Sequence, residues 1–287
     1  MTARNEAASQ AIERLLKVMS MLRDPEFGCP WDLEQSIESL IPFTIEEVYE
    51  VVDAIERGDM VDLEDELGDL LFQVVFYAQL AGEAGHFRFA EVAEAISNKL
   101  IRRHPHVFPN GKLESFANKS ELSPEQVVVN WDAIKEQERA EKRAKRGDSG
   151  SVEQDMLSAL DDVPRALPSL ERSRKLQKRA ASVGFDWNDV KPVIAKLKEE
   201  VAEYEEAMAS ADAEAVQHEL GDILFAAVNL ARHTGVEPEI ALREANQRFE
   251  NRFKWIEQEL SSRGTTVKEA SLETMDELWE QAKSTGL

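Results

Sequence analysis

Residues 199–222 read EEVAEYEEAMASADAEAVQHELGD. Glu199, Glu200 and Glu203 open the stretch and Glu219-Leu220-Gly221-Asp222 closes it. An α-helix turns about 100° per residue, so positions three and four apart share a face. On that rule Val190, Val193, Ile194, Leu197, Val201, Tyr204 and Met208 form one apolar stripe. Lys196, Glu200 and Glu203 fall along its edge, and Glu199 points further toward solvent. On the next helix Val216, Leu220, Ile223, Leu224 and Ala227 make the stripe, flanked by Glu219 and Asp222. Ser210-Ala211-Asp212 between them allows a tight turn. Two antiparallel helices packed on these stripes would face Glu200 and Glu203 toward Glu219 and Asp222.

Working outward, the same pattern occurs a second time. Glu46, Glu47 and Glu50 are followed by Glu66-Leu67-Gly68-Asp69, each 153 positions before its counterpart (47 + 153 = 200, 69 + 153 = 222). Comparing 46–78 with 199–231 position by position gives 14 identities in 33. Further landmarks follow in order: Lys99 and Arg103 against Arg248 and Arg252, then Trp131 and Lys135 against Trp279 and Lys283. Self-similarity of this kind marks a duplicated structural unit.

The rest of the chain is helical in pattern. Apolar residues recur at three- and four-residue steps through Ile12–Leu22, Ile45–Ile55, Leu63–Leu80, Phe89–Ile101 and Met156–Leu176, then in three further segments. No alternating strand pattern stands out. Glu136 to Arg146 is nearly all charge and alanine and reads as a solvated helix. Gly147-Asp148-Ser149-Gly150-Ser151 reads as a flexible connection. The expected fold is therefore all-α: two tandem four-helix-type units, 1–146 and 156–287, joined by a charged helical and flexible linker at 147–155.

With 34 basic and 56 acidic residues the net charge is −22, which argues against a nucleic-acid polymer or an anionic membrane as partner. A phosphate ligand stays compatible, because a cation can reverse the local field. The single cysteine, Cys29, forbids an internal disulfide or a cysteine zinc cluster, and is expected to be a small buried apolar residue. No apolar run spans a bilayer and no leader pattern precedes Asn5, so the expected location is cytoplasmic.

Four carboxylates in one cleft repel one another unless protons or a cation neutralise them. An all-oxygen acidic set suits a hard cation, Mg²⁺ with Mn²⁺ as substitute, and the lack of histidine or cysteine partners disfavours zinc. His218, beside Glu219, falls about 100° away round the helix. Taken alone, a Glu-Glu-x-x-Glu stretch is a common solvated helix face, and Thr44 three before Glu47 could be a capping box. Its pairing with Glu-Leu-Gly-Asp at fixed spacing, twice, favours a metal site. Gly68 and Gly221 inside helices cost about 1 kcal/mol each relative to alanine, which suggests close approach of a neighbour or ligand there.

At these residues the chain resembles MazG, in the all-α nucleotide pyrophosphohydrolase superfamily that also holds dimeric dUTPases and phosphoribosyl-ATP pyrophosphohydrolases. The resemblance extends through Cys29-Pro30-Trp31-Asp32, Glu66 to Ala78, Arg102-Arg103-His104-Pro105-His106 and Lys178 to Trp187. It implies hydrolysis of nucleoside triphosphates to monophosphate and diphosphate with broad base use, and a homodimer of four-helix units. It implies that Glu200, Glu203, Glu219 and Asp222 hold Mg²⁺, with Glu47, Glu50, Glu66 and Asp69 as the first-unit set. Glu199, Glu200 and Glu203 would be catalytic, Glu199 placing metal or water. Lys196, Arg248, Arg252 and Lys283 would meet phosphates, and Trp279 the nucleotide. Phe43 stands where the second unit has Lys196. Both units are thus expected to bind metal, and the second to be the stronger catalyst. The rival readings are a ferritin-like metal protein, a non-enzymatic carboxylate metal-binding scaffold and a narrow dUTPase-like enzyme.

Overall fold

The computed structural model describes residues 3–118, 122–124, 126–127, 129–131, 134, 137–138, 158–161, 163–210 and 212–287. Among these residues there are helices and no strands, and the chain divides into two compact units, 1–151 and 152–287. The proposed linker at 147–155 lies outside the described residues, as does all of the charged 136–146 segment except positions 137 and 138. Glu138 is not a solvated side chain. It pairs with Arg102 and Arg103, each at 2.5 Å, and hydrogen bonds from Arg103 above all hold its carboxyl down at about 2.

In the first unit α1 (Ala3–Leu22) and α4 (Met60–Glu83) pack together, with α3 (Ile41–Arg57) and α5 (Phe89–Arg103) also against α4. The short α2 (Pro30–Glu34) starts after Cys29, which is half-buried and not the fully buried residue expected. Met19, Leu40, Val75, Phe76 and Leu80 form the core, with Phe43 and Phe72 packed on it. Thr44 lies inside α3 and caps nothing; its hydroxyl accompanies Leu40 O at 3.1 Å and Tyr77 OH at 2.8 Å.

The second unit contains α6 (Ser169–Ser182), α7 (Val190–Ser210), α8 (Ala213–Thr234), α9 (Pro238–Ser262) and α10 (Leu272–Ser284). The helical reading of 156–176 holds only from Ser169: the described residues from 158 to 168 are turns, since Pro164 and Pro168 break the backbone hydrogen-bond pattern. Helix α7 packs along α8, and α6 lies on α8 as well. A second core of Ile256, Leu260 and Leu278 joins α9 to α10.

The duplication reaches the turns. Asp59 and Asp212, again 153 apart, each cap the second helix of a hairpin. Asp59 accepts from Val61 N and Asp62 N at 3.1 Å, and Asp212 from Glu214 N at 3.0 Å and Ala215 N at 3.3 Å. These caps fix where α4 and α8 begin, and so the register at which Glu66/Asp69 and Glu219/Asp222 return past the preceding helix.

One packing expectation is corrected. Val201, Met208, Leu220 and Leu224 are exposed, while Val193, Glu200 and Ala207 are the buried residues of α7. The seven-residue spacing of those three marks the inward line. Glu200 therefore sits in the seam between helices and not at its margin. The apolar arc on each helix is too wide to be covered by one neighbour, and its outer half is exposed among the described residues. Among the described residues no neighbour closely approaches Gly68 or Gly221 either, because a Cβ built at each would meet nothing within 4 Å.

Candidate active site

Three of the four predicted carboxylates converge in each unit. Glu200, Glu219 and Asp222 bring one oxygen each within 4.8 Å of one another, and Glu47, Glu66 and Asp69 do the same in the first unit. The two triads share the 153-residue offset. Both arise because α3–α4 and α7–α8 run antiparallel from a capped turn, so a position on one helix meets an i, i+3 pair on the next. Glu203 and Glu50 stand one turn away on the same helix and outside these triads.

Charge is balanced differently in the two units. Lys196 reaches Glu199 at 2.7 Å, Glu200 at 2.9 Å and Glu203 at 4.0 Å. Hydrogen bonds to Glu199 and then Glu200 raise its ammonium pKa well above the ordinary lysine value. The Glu203 carboxyl is pushed up, chiefly by a hydrogen bond with Glu200 and then by desolvation. In the first unit Phe43 replaces the lysine and lies edge-on to Trp31, 5.6 Å between ring centres. Glu47 there receives a 3.5 Å contact from Gln73 Nε2. Desolvation, then the charges of Asp69 and Glu50, raises its pKa; Glu66 is raised by desolvation and Glu50.

These shifts fix a sign. A carboxyl with a raised folded pKa binds its proton more tightly folded than unfolded. For the metal-free chain, acidification from pH 7 toward the ordinary value of 4.5 therefore adds stability through Glu47, Glu66 and Glu203. Protons compete with a cation for the same oxygens, so if the triads take Mg²⁺, the rise in melting temperature at saturating Mg²⁺ should shrink over that interval. Thermal melts at pH 5 and pH 7.5, with and without Mg²⁺, check this; a Mg²⁺ effect independent of pH contradicts it.

The other predicted contacts are recorded with these neighbours. Arg252 lies 5.3 Å over the Trp279 ring and donates to Leu287 O at 2.6 Å. Trp279 packs on the α9–α10 core and 5.3 Å from Phe249. Lys283 pairs with Glu280 at 2.8 Å, and Arg248 approaches Glu244 at 3.9 Å. In the first unit Arg103 is taken by Glu138, and Lys135 lies outside the described residues. His218 is exposed and belongs to neither triad.

Sequence reasoning missed what adjoins the second triad. A cavity of about 670 Å³ has Lys196, Glu200 and Asp222 in its wall, together with Phe185, Trp187 and Phe225. Arg232 and Asn229 also line it, and Asp186 receives Arg232 at 2.5 and 2.9 Å and His233 at 2.9 Å. Arg232 holds the Asp186 carboxyl down at about 2. A signal for it existed: Gly184-Phe185-Asp186-Trp187 precedes the acidic helix much as Gly28-Cys29-Pro30-Trp31-Asp32 does in the first copy.

An all-carboxylate triad of this spacing, with one member buried, is a donor set that fits a hard divalent cation. The profile of the MazG nucleotide pyrophosphohydrolase domain matches residues 35–108 and 189–257, so each match contains one complete triad. The chain is 51% identical over 274 residues to an Escherichia coli K12 protein named nucleoside triphosphate pyrophosphohydrolase, covering 95% of this chain and 97% of that one. It is 40% identical to the Thermotoga maritima nucleoside triphosphate pyrophosphohydrolase/pyrophosphatase MazG, over 94% of this chain and 95% of the relative. A crystal structure of a mazG-related protein from Thermotoga maritima matches 43% of this chain and 98% of its own, at 27% identity and a TM-score of 0.35. The matched domain and these full-length relatives make this helical chain a nucleotide hydrolase. The chain belongs to the MazG nucleotide pyrophosphohydrolase family.

Proposed function

We propose that this chain hydrolyses nucleoside triphosphates, ribo- and deoxyribo-, to the monophosphate and diphosphate, using Mg²⁺ with Mn²⁺ as substitute, and that the second unit is the principal catalyst. The observation that carries the reading is the convergence of Glu200, Glu219 and Asp222 beside Lys196 at the wall of a nucleotide-sized cavity. The relatives' printed names agree with it.

Glu200, Glu219 and Asp222 would hold the cation, and a rotamer change of Glu203 would add a fourth carboxylate. The cation would stabilise charge on the departing diphosphate. Lys196 is the flexible cation of the site. With a cation held at Glu200, the Lys196 ammonium would be free to meet the phosphates and offset the charge that builds on them. Glu199 is exposed and, among the described residues, bonded through Lys196, so it is the group left to orient the attacking water or take its proton. The first unit keeps its triad and lacks the lysine, which supports metal binding with weaker catalysis there. Exposed apolar side chains on the outer faces of α3, α4, α7 and α8 support a homodimer. No helix among the described residues is long and apolar enough to cross a membrane, which is compatible with a cytoplasmic role in clearing unwanted nucleotides.

A panel of NTPs and dNTPs tests this. Hydrolysis is expected of most members, lost with EDTA and restored by Mg²⁺. Turnover confined to dUTP would support the narrow alternative, and none at all, with Mg²⁺ still raising the melting temperature, the metal-binding scaffold.

A further inference from the structure

The two carboxylate triads are copies in their donors and differ in one charge. Glu200, Glu219 and Asp222 match Glu47, Glu66 and Asp69 position for position. In the second unit the Lys196 ammonium lies 2.9 Å from Glu200, 2.7 Å from Glu199 and 4.0 Å from Glu203. Glu200 is the buried member, at 7% exposure, and this ammonium is its ion-pair partner. In the first unit Phe43 holds the equivalent place and lies edge-on to Trp31. Among the described residues Glu47, Glu66 and Asp69 have no ion pair, and Glu47 meets the neutral amide of Gln73 at 3.5 Å.

An ammonium and a divalent cation on the same carboxylate repel one another, more strongly in a partly dry seam than in open water. The ammonium is carried on a flexible stem, so it can yield that place when another anion takes it up. Glu199 stays beside it, but on an exposed surface where water screens the pair. A triphosphate brings several negative charges to the one cavity whose wall contains Lys196, Glu200 and Asp222 together.

We infer that Lys196 is a resident counter-ion that makes cation uptake by the second triad conditional on a triphosphate, while the first triad, with Phe43 in that place, takes a divalent cation with no nucleotide present. The inference rests on the metal and nucleotide reading above and deepens it, by coupling the two ligands in one unit and not in the other. Such coupling is reciprocal: whatever the triphosphate adds to cation affinity, the cation adds to triphosphate affinity. Without nucleotide the second triad keeps its charge balance through Lys196 and stays a weak cation site. The first triad holds its cation throughout and serves as a fixed centre of the α3–α4 hairpin.

The test follows Mn²⁺ binding to the nucleotide-free full chain by electron paramagnetic resonance of the free ion. The wild type should take up one tight Mn²⁺ per chain, lost in Glu47→Gln. Lys196→Met, which keeps the length and removes the charge, should tighten the second triad about tenfold, the worth of one charge-assisted hydrogen bond to a buried carboxylate. Lys196→Arg, which keeps the charge, should not. The same Lys196→Met chain should bind α,β-methylene-ATP, whose bridge resists cleavage, about tenfold more weakly in Mg²⁺ by calorimetry. Opposite effects on cation and anion identify a shared counter-ion. A purely structural residue would weaken both, and a plain phosphate contact would leave Mn²⁺ binding alone. Unchanged or weaker Mn²⁺ binding in Lys196→Met overturns the inference, as do two equally tight sites in the nucleotide-free wild type; triphosphate hydrolysis with Mg²⁺ would survive either result. No Mn²⁺ binding by any of these chains, with or without nucleotide, defeats the metal reading and the inference with it.

Discussion

Glu200→Gln is expected to lower kcat/KM for ATP by two to three orders of magnitude, about 3–4 kcal/mol of transition-state stabilisation. The substitution keeps shape and removes charge. Glu200 is the buried member of its triad, at 7% exposure, and the one that Lys196 reaches within the seam. An amide oxygen is a poor replacement for a carboxylate toward a divalent cation, and the freed Lys196 becomes a competing positive charge. The metal-free variant should melt no lower than the wild type, because one of three mutually repelling carboxylates is gone. The matching Glu47→Gln should leave turnover within about threefold, since that triad adjoins Phe43 and Gln73 where the second unit has Lys196 and Ala226. The pair Glu203→Gln and Glu50→Gln should divide the same way. Steady-state kinetics on the four proteins checks the assignment, and loss of hydrolysis only in the first-unit variants reverses it.

Phe76→Ala is expected to destabilise the first unit by about 3–5 kcal/mol, a large share of a typical domain's 5–15 kcal/mol. Phe76 is fully buried and belongs to the cluster with Met19, Leu40, Val75 and Leu80. Its ring lies 5.6 Å from that of Phe72, and the Arg23 guanidinium sits 5.7 Å above it. Truncation leaves a cavity among side chains drawn from three segments, which cannot collapse without moving α1 against α4. Urea unfolding followed by circular dichroism should show an early transition for the first unit. Hydrolysis at low temperature should persist, because the triad proposed to be catalytic belongs to the other unit. A stability change below about 1 kcal/mol would mean that this cluster is not the core described.

Much of this was legible in the chain. The Glu/Glu–Asp triads follow from helical period and a constant offset, both local properties, and the offset extends to the capping Asp59 and Asp212. Burial of Glu200 was not legible, because Val201, Leu220 and Leu224 widen the apolar arc and conceal which half is inward. The start of α6 was misplaced because periodicity continued across Pro164 and Pro168. The cavity was beyond a linear reading: Gln177, Phe185 and Arg232 meet only when α6 packs on α8, and a glutamine in a helix as charged as 169–182 carries no sign of burial. The contacts of the Trp279 ring with Arg252 and Phe249 were not legible either, since its spacing to Lys283 says nothing of its neighbours.

The central claim is that the acidic triad and Lys196 direct cleavage between the α- and β-phosphorus. Phosphorus NMR of ATP turned over by the full chain with Mg²⁺ tests it most directly. AMP and diphosphate appearing in equal amounts is the predicted result, and ADP with inorganic phosphate as the first products would contradict it.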